Sequence, residues 1–362
     1  MKAELKDIAK KVINNDRITV EEGIILYEKG ELGFLGTLAN IVRERKHGHN
    51  TYFNRNFHIE PTNICIYNCK FCSYVRKIGD VDAWEYSLEQ IIDIAKKYKE
   101  QAVTEVHIVG GVHPKRDLHY YGNMIQEIKK VLPDIHVKAF TAVELDFMIK
   151  KAKMSIKDGL IKLKEYGLDS IPGGGAEIFN PEIRKQVCDE KSSTEMWLNI
   201  HKTAHQVGIP SNATILYGHI ESYADRIDHM NKLRDLQDET NGFNTYIPLK
   251  FRKANNNLSY IGEVSTIEDL KNYAVSRIFL DNFDHIKAYW PMIGKETAQI
   301  ALSFGVDDID GTIDDTTKIY SMAGVEDKTP TMTSQELVNL IKEVNRIPIE
   351  RDTLYNVVND FS

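Results

Sequence analysis

Three of the four cysteines fall in one short stretch, Asn63-Ile64-Cys65-Ile66-Tyr67-Asn68-Cys69-Lys70-Phe71-Cys72, spaced C-x3-C-x2-C; the fourth, Cys188, is far away. Three thiolates on one loop can hold three corners of an iron–sulfur cluster. A closed zinc site takes four ligands, usually as two close pairs, and the chain has no second pair. A disulfide framework asks for an even set in a short secreted chain. Unrelated buried cysteines would be scattered, and these are not. The stretch reads as a cluster loop that leaves one iron open.

The elements that must position this loop follow a repeating rhythm from Phe57 onward: a short apolar run, a loop rich in Gly or Pro, then a capped amphipathic helix. The runs lie at 57–60, 105–109, 135–140, 168–172, 212–218, 243–248, 285–290 and, more weakly, 306–311. Ser87-x-x-Gln90, Ser155-x-x-Asp158, Ser192-x-x-Glu195, Ser222-x-x-Asp225, Ser265-x-x-Glu268 and Thr333-x-x-Glu336 mark helix starts. Strands alternating with helices imply parallel pairing, and eight units are the count of a TIM-type (β/α)8 barrel, an α/β fold. An open barrel of six units is the alternative, because the last two runs are short and polar. Residues 1–50, with a Thr19-x-x-Glu22 box, read as a helical N-terminal extension. Residues 51–315 form the barrel, and 316–362 a C-terminal extension packed on it, ending in a tail from Arg346 to Val358.

A formal charge of −7 without a long basic run argues against a nucleic-acid footprint. No stretch approaches twenty apolar residues, and the first residues lack the apolar core of a signal peptide. Cysteines committed to an oxygen-sensitive cluster suit a reducing cytoplasm.

In such a barrel the Gly- and Pro-rich segments gather on one rim, at the C-terminal ends of the strands, where these folds do their chemistry. The cluster loop follows strand one, Gly110-Gly111 strand two, Glu144 strand three and Gly173-Gly174-Gly175 strand four. Three consecutive glycines cost backbone entropy, and their amides could cradle a carboxylate or a ribose. Glu177 could bind a hydroxyl, act as a base or cap the next turn. His219, after strand five, either touches a substrate or packs against backbone. His58 and His107 lie within strands and are placed to face the barrel interior. Lys138, Lys250, Arg252 and Lys287, near strand ends, could neutralise an anionic substrate.

The cysteine spacing, with Phe71 just before the last cysteine, resembles the radical SAM family. The resemblance implies a 4Fe-4S cluster on Cys65, Cys69 and Cys72, with S-adenosyl-L-methionine on the open iron. It also implies Phe71 and Tyr74 beside the cofactor, Gly110 and Gly111 at the methionyl amine, and Glu144 at the ribose or the methionyl group. Longer stretches, among them His107 to Pro114, Lys138 to Glu144, Ser170 to Phe179 and Asn212 to Glu221, look like the aminofutalosine synthase family of the futalosine route to menaquinone.

That closer resemblance implies addition of a deoxyadenosyl radical to an enolpyruvyl ether of 3-hydroxybenzoate, with S-adenosylmethionine consumed. Chemistry would then fall to His219 and Glu177, and substrate binding to Gly173, Gly174, Gly175, His58 and Lys138. An external donor such as flavodoxin or ferredoxin would supply electrons, and a homodimer is left open. The sister cyclase acting on dehypoxanthine futalosine shares the triple glycine and the Gly-His after strand five. It is the alternative within the enzymes; a non-catalytic iron–sulfur protein is the alternative outside them.

Overall fold

The structure is a computed structural model that describes residues 3–315, 318–325 and 330–362. Its strands are β1 (Asn50–Phe53), β2 (Asn56–Ile59), β3 (Glu105–Ile108), β4 (His136–Ala139), β5 (Ser211–Tyr217), β6 (Phe243–Lys250), β7 (His285–Ala288), β8 (Asp308–Ile309), β9 (Asp314–Asp315), β10 (Ile347–Arg351) and β11 (Val357–Asp360). β2, β3 and β4 pair in parallel, and β5 through β8 do the same. The fourth predicted run survives as two parallel bridges, Lys138 with Ser170 and Ile171 with Ser211, which join the two halves.

All eight predicted runs therefore stand in the ring. The last, β8, pairs with β7 and β1, and β9, which lies beyond the predicted run, pairs with β2 and closes the barrel. Between them a Cβ at Gly311 would lie 2.1 Å from the Asn54 carbonyl oxygen, so only a bare backbone passes there.

Most helix starts follow from local chemistry. Thr19, Ser87, Ser155, Ser222, Ser265 and Thr333 all cap helices as their spacing predicts. One start shifts by a residue: Ser193, not Ser192, caps Thr194–Gln206. Ser192 instead donates its hydroxyl to the buried Asp146 carboxylate at 2.7 Å, a tertiary bond that the spacing does not encode. Two helices escape the sequence reading. Ala142–Lys151 is opened by a Thr141–Glu144 capping box, and Pro181–Cys188 by Asn180 with proline at its first position.

Ala3–Ile13, Val20–Lys29 and Leu32–His47 precede the barrel, and Leu32–His47 packs against Thr266–Phe279. The tail from Arg346 is not loose. β10 adds to β1 in parallel and β11 turns back on β10, so the segment extends a sheet. Residues 316–317 and 326–329, at the start of the predicted C-terminal extension, lie outside the described residues.

Candidate active site

The strand ends open into a cavity of about 280 Å³. Cys65, Cys69 and Cys72 line it, together with Phe71, Tyr74, Gly110, Gly111, Glu144, Gly175 and Glu177. With Lys250 and Arg252, twelve residues singled out in the sequence thus line it. His219, His58, Lys138, Gly173 and Gly174 are not on it.

The cluster loop is held by its own backbone and by distant segments. Ile64 bridges Arg76, Cys65 N–H donates to the Arg76 carbonyl at 3.0 Å, and Lys77 Nζ binds the carbonyls of Cys65, Ile66 and Tyr67 at 2.9–3.1 Å. Ile66 N–H reaches the Val112 carbonyl at 3.0 Å and Lys70 N–H the Val187 carbonyl at 2.9 Å. Main-chain pairing therefore fixes where the thiols sit.

Among the described residues, the His/Cys/Asp/Glu group whose ligand atoms all fall within 4.8 Å of one another is His47, His285 and Asp307, at the opposite end of the barrel. The three thiols are spread more widely than a single metal ion would hold them. A four-iron cluster, itself several ångströms across, takes thiolates set farther apart than a single ion does. Burial pushes the Cys69 thiol up to about 12 and raises Cys72, so ligation must displace their protons.

The glycine wall is tight. A Cβ on Gly111 would come within 2.3 Å of the Ile64 carbonyl oxygen. Gly111 N–H donates to the Thr62 carbonyl at 2.7 Å, and Tyr74 donates its hydroxyl to the same oxygen at 3.2 Å. The Gly-Gly pair thus locks strand two's end onto the cluster loop as well as leaving the cavity wall bare.

Glu144 was expected on a loop and instead occupies the third position of the Ala142–Lys151 helix. One carboxylate oxygen accepts from Thr141 N–H and hydroxyl at 2.7 and 2.8 Å, the other from Gly110 N–H at 3.1 Å. Burial outweighs these donors and raises its pKa to about 7. Just before the Thr141 cap, Phe140 holds φ of 63°, and Glu177 holds 49°. A left-handed phenylalanine is a strained conformation, and such residues gather at functional sites.

Glu177 does not cap a helix; its carboxylate pairs with Lys191 at 2.6 Å. Lys191 was missed in the sequence, where nothing sets it apart from other lysines. Its ammonium lies 5.0 Å from the Phe71 ring centroid and lines the same cavity. Burial works against that charge, but Cys69 and Glu177 prevail and hold its pKa well above the ordinary lysine value.

The other residues take different places. His219 Nε2 donates to the Leu216 carbonyl at 3.1 Å, and Nδ1 lies 3.2 Å from Glu221, whose carboxylate also takes the N–H groups of Gly218 and His219. The ring braces the turn after β5. Gly173 and Gly174 present carbonyls to Thr214 and Trp197, and at Gly173, with φ of 85°, a Cβ would strike the Asn212 carbonyl at 2.2 Å. Gly173 packs on β5, Gly174 lies between Thr141 and Trp197, and Gly175 reaches the cavity. His58 and His107 meet edge to face at 4.7 Å inside the barrel, with burial pushing His58 down to about 4 and His107 well below the ordinary imidazole range. Lys138 pairs with Glu105 at 2.6 Å, both buried, and Cys188 lies buried at the end of its helix.

Comparison with known proteins agrees with this arrangement. The Radical SAM superfamily profile matches residues 59–233, and that of the CofH/MqnC C-terminal region matches 240–361. The chain is 45% identical to the aminodeoxyfutalosine synthase of Thermus thermophilus over 97% of its own length and 95% of that protein. The chain belongs to the radical SAM superfamily, in its aminodeoxyfutalosine synthase family. It is more distant, at 34% identity over 99% of its length and 90% of the other, from the cyclic dehypoxanthine futalosine synthase of Streptomyces coelicolor. Methylornithine synthase shares the fold, with a TM-score of 0.74 over 94% of this chain and 97% of that one at 18% identity. Radical SAM membership implies a 4Fe-4S cluster and S-adenosylmethionine, a small-molecule substrate and a reductant. No helix among the described residues is long and apolar enough to cross a membrane.

Proposed function

We propose that the protein is an aminodeoxyfutalosine synthase of menaquinone biosynthesis. The observation that carries this reading is the convergence of the C-x3-C-x2-C thiols, Gly110-Gly111 and Glu144 on one cavity, in a chain similar to such a synthase along nearly its whole length. Bound there, the cluster and S-adenosylmethionine would supply a 5'-deoxyadenosyl radical that adds to the vinyl carbon of 3-[(1-carboxyvinyl)oxy]benzoate, with rearrangement and loss of a carboxyl group.

The chain's own tasks are binding and exclusion. Cys65, Cys69 and Cys72 would hold three irons of the cluster. Gly110 and Gly111 let the methionyl end of the cofactor approach main chain. Tyr74, crossed by Trp84 at 5.1 Å between ring centroids, forms a rigid wall for the adenine. Glu144, with a pKa of about 7, can hold a proton on the oxygen facing Gly110 or release it as the cofactor's hydroxyls or amine arrive. Lys191 and Glu177 place a fixed ion pair beside Phe71, and both line the chamber in which a radical must be kept from water and stray donors. His219 acts through Glu221 and the turn after β5, as a positioning residue. A flavodoxin or ferredoxin supplies the electron.

The test uses anaerobically reconstituted protein with dithionite, S-adenosylmethionine and the enolpyruvyl benzoate, read by mass spectrometry. An adduct joining adenosine and benzoate skeletons, absent in Cys69→Ala, is the expected result. Free deoxyadenosine with the benzoate untouched would instead favour the cyclase.

A further inference from the structure

The cavity has two unlike halves. One carries the thiols, the glycine pair and Glu144. The other, from the β5–β7 side, offers Leu216, Leu249, Phe251 and Met292 as apolar surface and Lys250 and Arg252 as cations.

Three cations line the cavity in all among the described residues, and their partners differ. Lys191 is taken by Glu177 at 2.6 Å. Lys250 is taken by Asp269 at 2.7 Å, a carboxylate that Tyr217 also binds at 2.8 Å. Arg252 is the least satisfied. Its Nη1 makes one long bond, 3.4 Å, to the Met292 carbonyl and sits 3.3 Å from Glu263. Its Nε is buried and finds no acceptor among the described residues. A buried guanidinium nitrogen without an acceptor is costly, and a planar fork of N–H donors is suited to a carboxylate taken in two bonds.

We propose that Arg252 anchors the ring carboxylate of an aromatic acid, with the aryl ring against Leu216, Leu249, Phe251 and Met292. This rests on the synthase reading above, and it gives that reading an orientation. A benzoate end held by Arg252 directs the meta substituent, which carries the vinyl group, toward the half of the cavity that holds the cysteines. Arg252 is thereby the residue that selects an aromatic acid over its neutral counterpart; a neutral ring would leave it only Glu263 and the long Met292 bond.

The experiment is equilibrium dialysis of the cluster-loaded, unreduced enzyme saturated with S-adenosylmethionine. The probes are 3-[(1-carboxyvinyl)oxy]benzoate and the analogue with a carboxamide in place of the ring carboxylate. Wild type is expected to prefer the acid by about 10- to 100-fold, the range of a charged hydrogen-bonded pair. Arg252→Gln is expected to lose that preference by weakening acid binding alone, and Arg252→Lys to keep part of it. S-adenosylmethionine affinity and circular dichroism should be unchanged in both.

Acid binding by Arg252→Gln within threefold of wild type would overturn the proposal, as would equal losses for acid and amide. If Arg252→Gln misfolds, an unaltered acid preference in a folded Arg252→Lys, with wild-type affinity for the acid, would overturn it as well. Arg252-dependent acid binding without any adenosyl adduct on reduction would defeat the synthase reading and leave the anchor standing. An adduct formed by Arg252→Gln at wild-type KM would defeat the anchor alone, and wild type that fails to bind the acid would defeat both.

Discussion

The rim and the floor of this barrel are both rich in buried charge, yet they are built on opposite terms. On the floor, each of these charges is answered by a side chain from another element. Lys138 meets Glu105, which also accepts from Thr353; Lys287 meets Asp310; Arg351 meets Asp308; and Arg277 meets Asp307. The His47, His285 and Asp307 group belongs to this floor, where Asp307 is already engaged by Arg277. On the rim, Lys191 and Lys250 are paired with Glu177 and Asp269, but Glu144 is held by backbone donors and a hydroxyl, the thiols are buried, and Arg252 Nε has no acceptor among the described residues. Buried ion pairs hold a fold in register when both members are present, and strand a charge when one is removed. Polar groups left unpaired in a cavity are free to act on a ligand. Burial of charge alone does not mark a site, since Arg351 Nε on the floor is also without an acceptor among the described residues; a place on the open cavity does.

The sharpest way to break this contrast is on the floor. Lys138→Met leaves Glu105 buried beside Thr353 without its cation, and unfolding by denaturant should show a loss of about 3–5 kcal/mol. A change under 1 kcal/mol would mean that the floor pairs are not structural.

Next in size is Glu144. Its folded pKa, about 7, lies above the ordinary 4.5, so the native state keeps a proton that the unfolded chain has released. Its contribution favours folding at low pH and is lost as pH rises from about 4.5 to 7, by up to about 3 kcal/mol. Thermal melts of cluster-free protein at pH 5 and pH 8 should differ in that sense, and Glu144→Gln should flatten the difference. A melting point of the parent protein that climbs through this window, with Glu144→Gln unaltered, would contradict the assignment.

Gly111→Ala tests the rim by steric means. The new methyl meets the Ile64 carbonyl at 2.3 Å, and moving the cluster loop should cost about 1–3 kcal/mol and lower iron retention on gel filtration. The smallest effect is expected of a helix cap that touches neither the thiols nor the floor pairs. Ser87→Ala removes the cap of Leu88–Lys96, should cost about 1 kcal/mol, and should leave iron content as it was.

Much of this architecture is visible in the chain because its signals are local. Caps such as Thr19 and Ser222 need residues three apart, the cluster loop needs eight, and the strand-loop-helix rhythm needs only a window of each. What escaped was decided by distant partners. Ser192 lost its capping role to Asp146, forty-six residues away. The Thr141–Glu144 box was written in the sequence but overlooked, since Glu144 was read for its charge and not for its place three after a threonine. Lys191 carried no local signal; it matters only because Glu177, Phe71 and Cys69 fold around it.

The sequence by itself determined the three-thiol loop, the eight-unit barrel and the family, because these reside in spacing and periodicity along the chain. Tertiary structure alone decided which polar residues face the cavity and which are consumed in the floor. His58 and Lys138 sit on strands as promisingly as any residue, and only the placement of His107 and Glu105 beside them shows what surrounds each. Arg252 stands in the sequence as one of four cations near strand ends, and only folding sets it on an apolar-walled cavity with its Nε lacking an acceptor among the described residues. The physical reason is that pairing and desolvation depend on neighbours in space, and those neighbours come from every part of the chain.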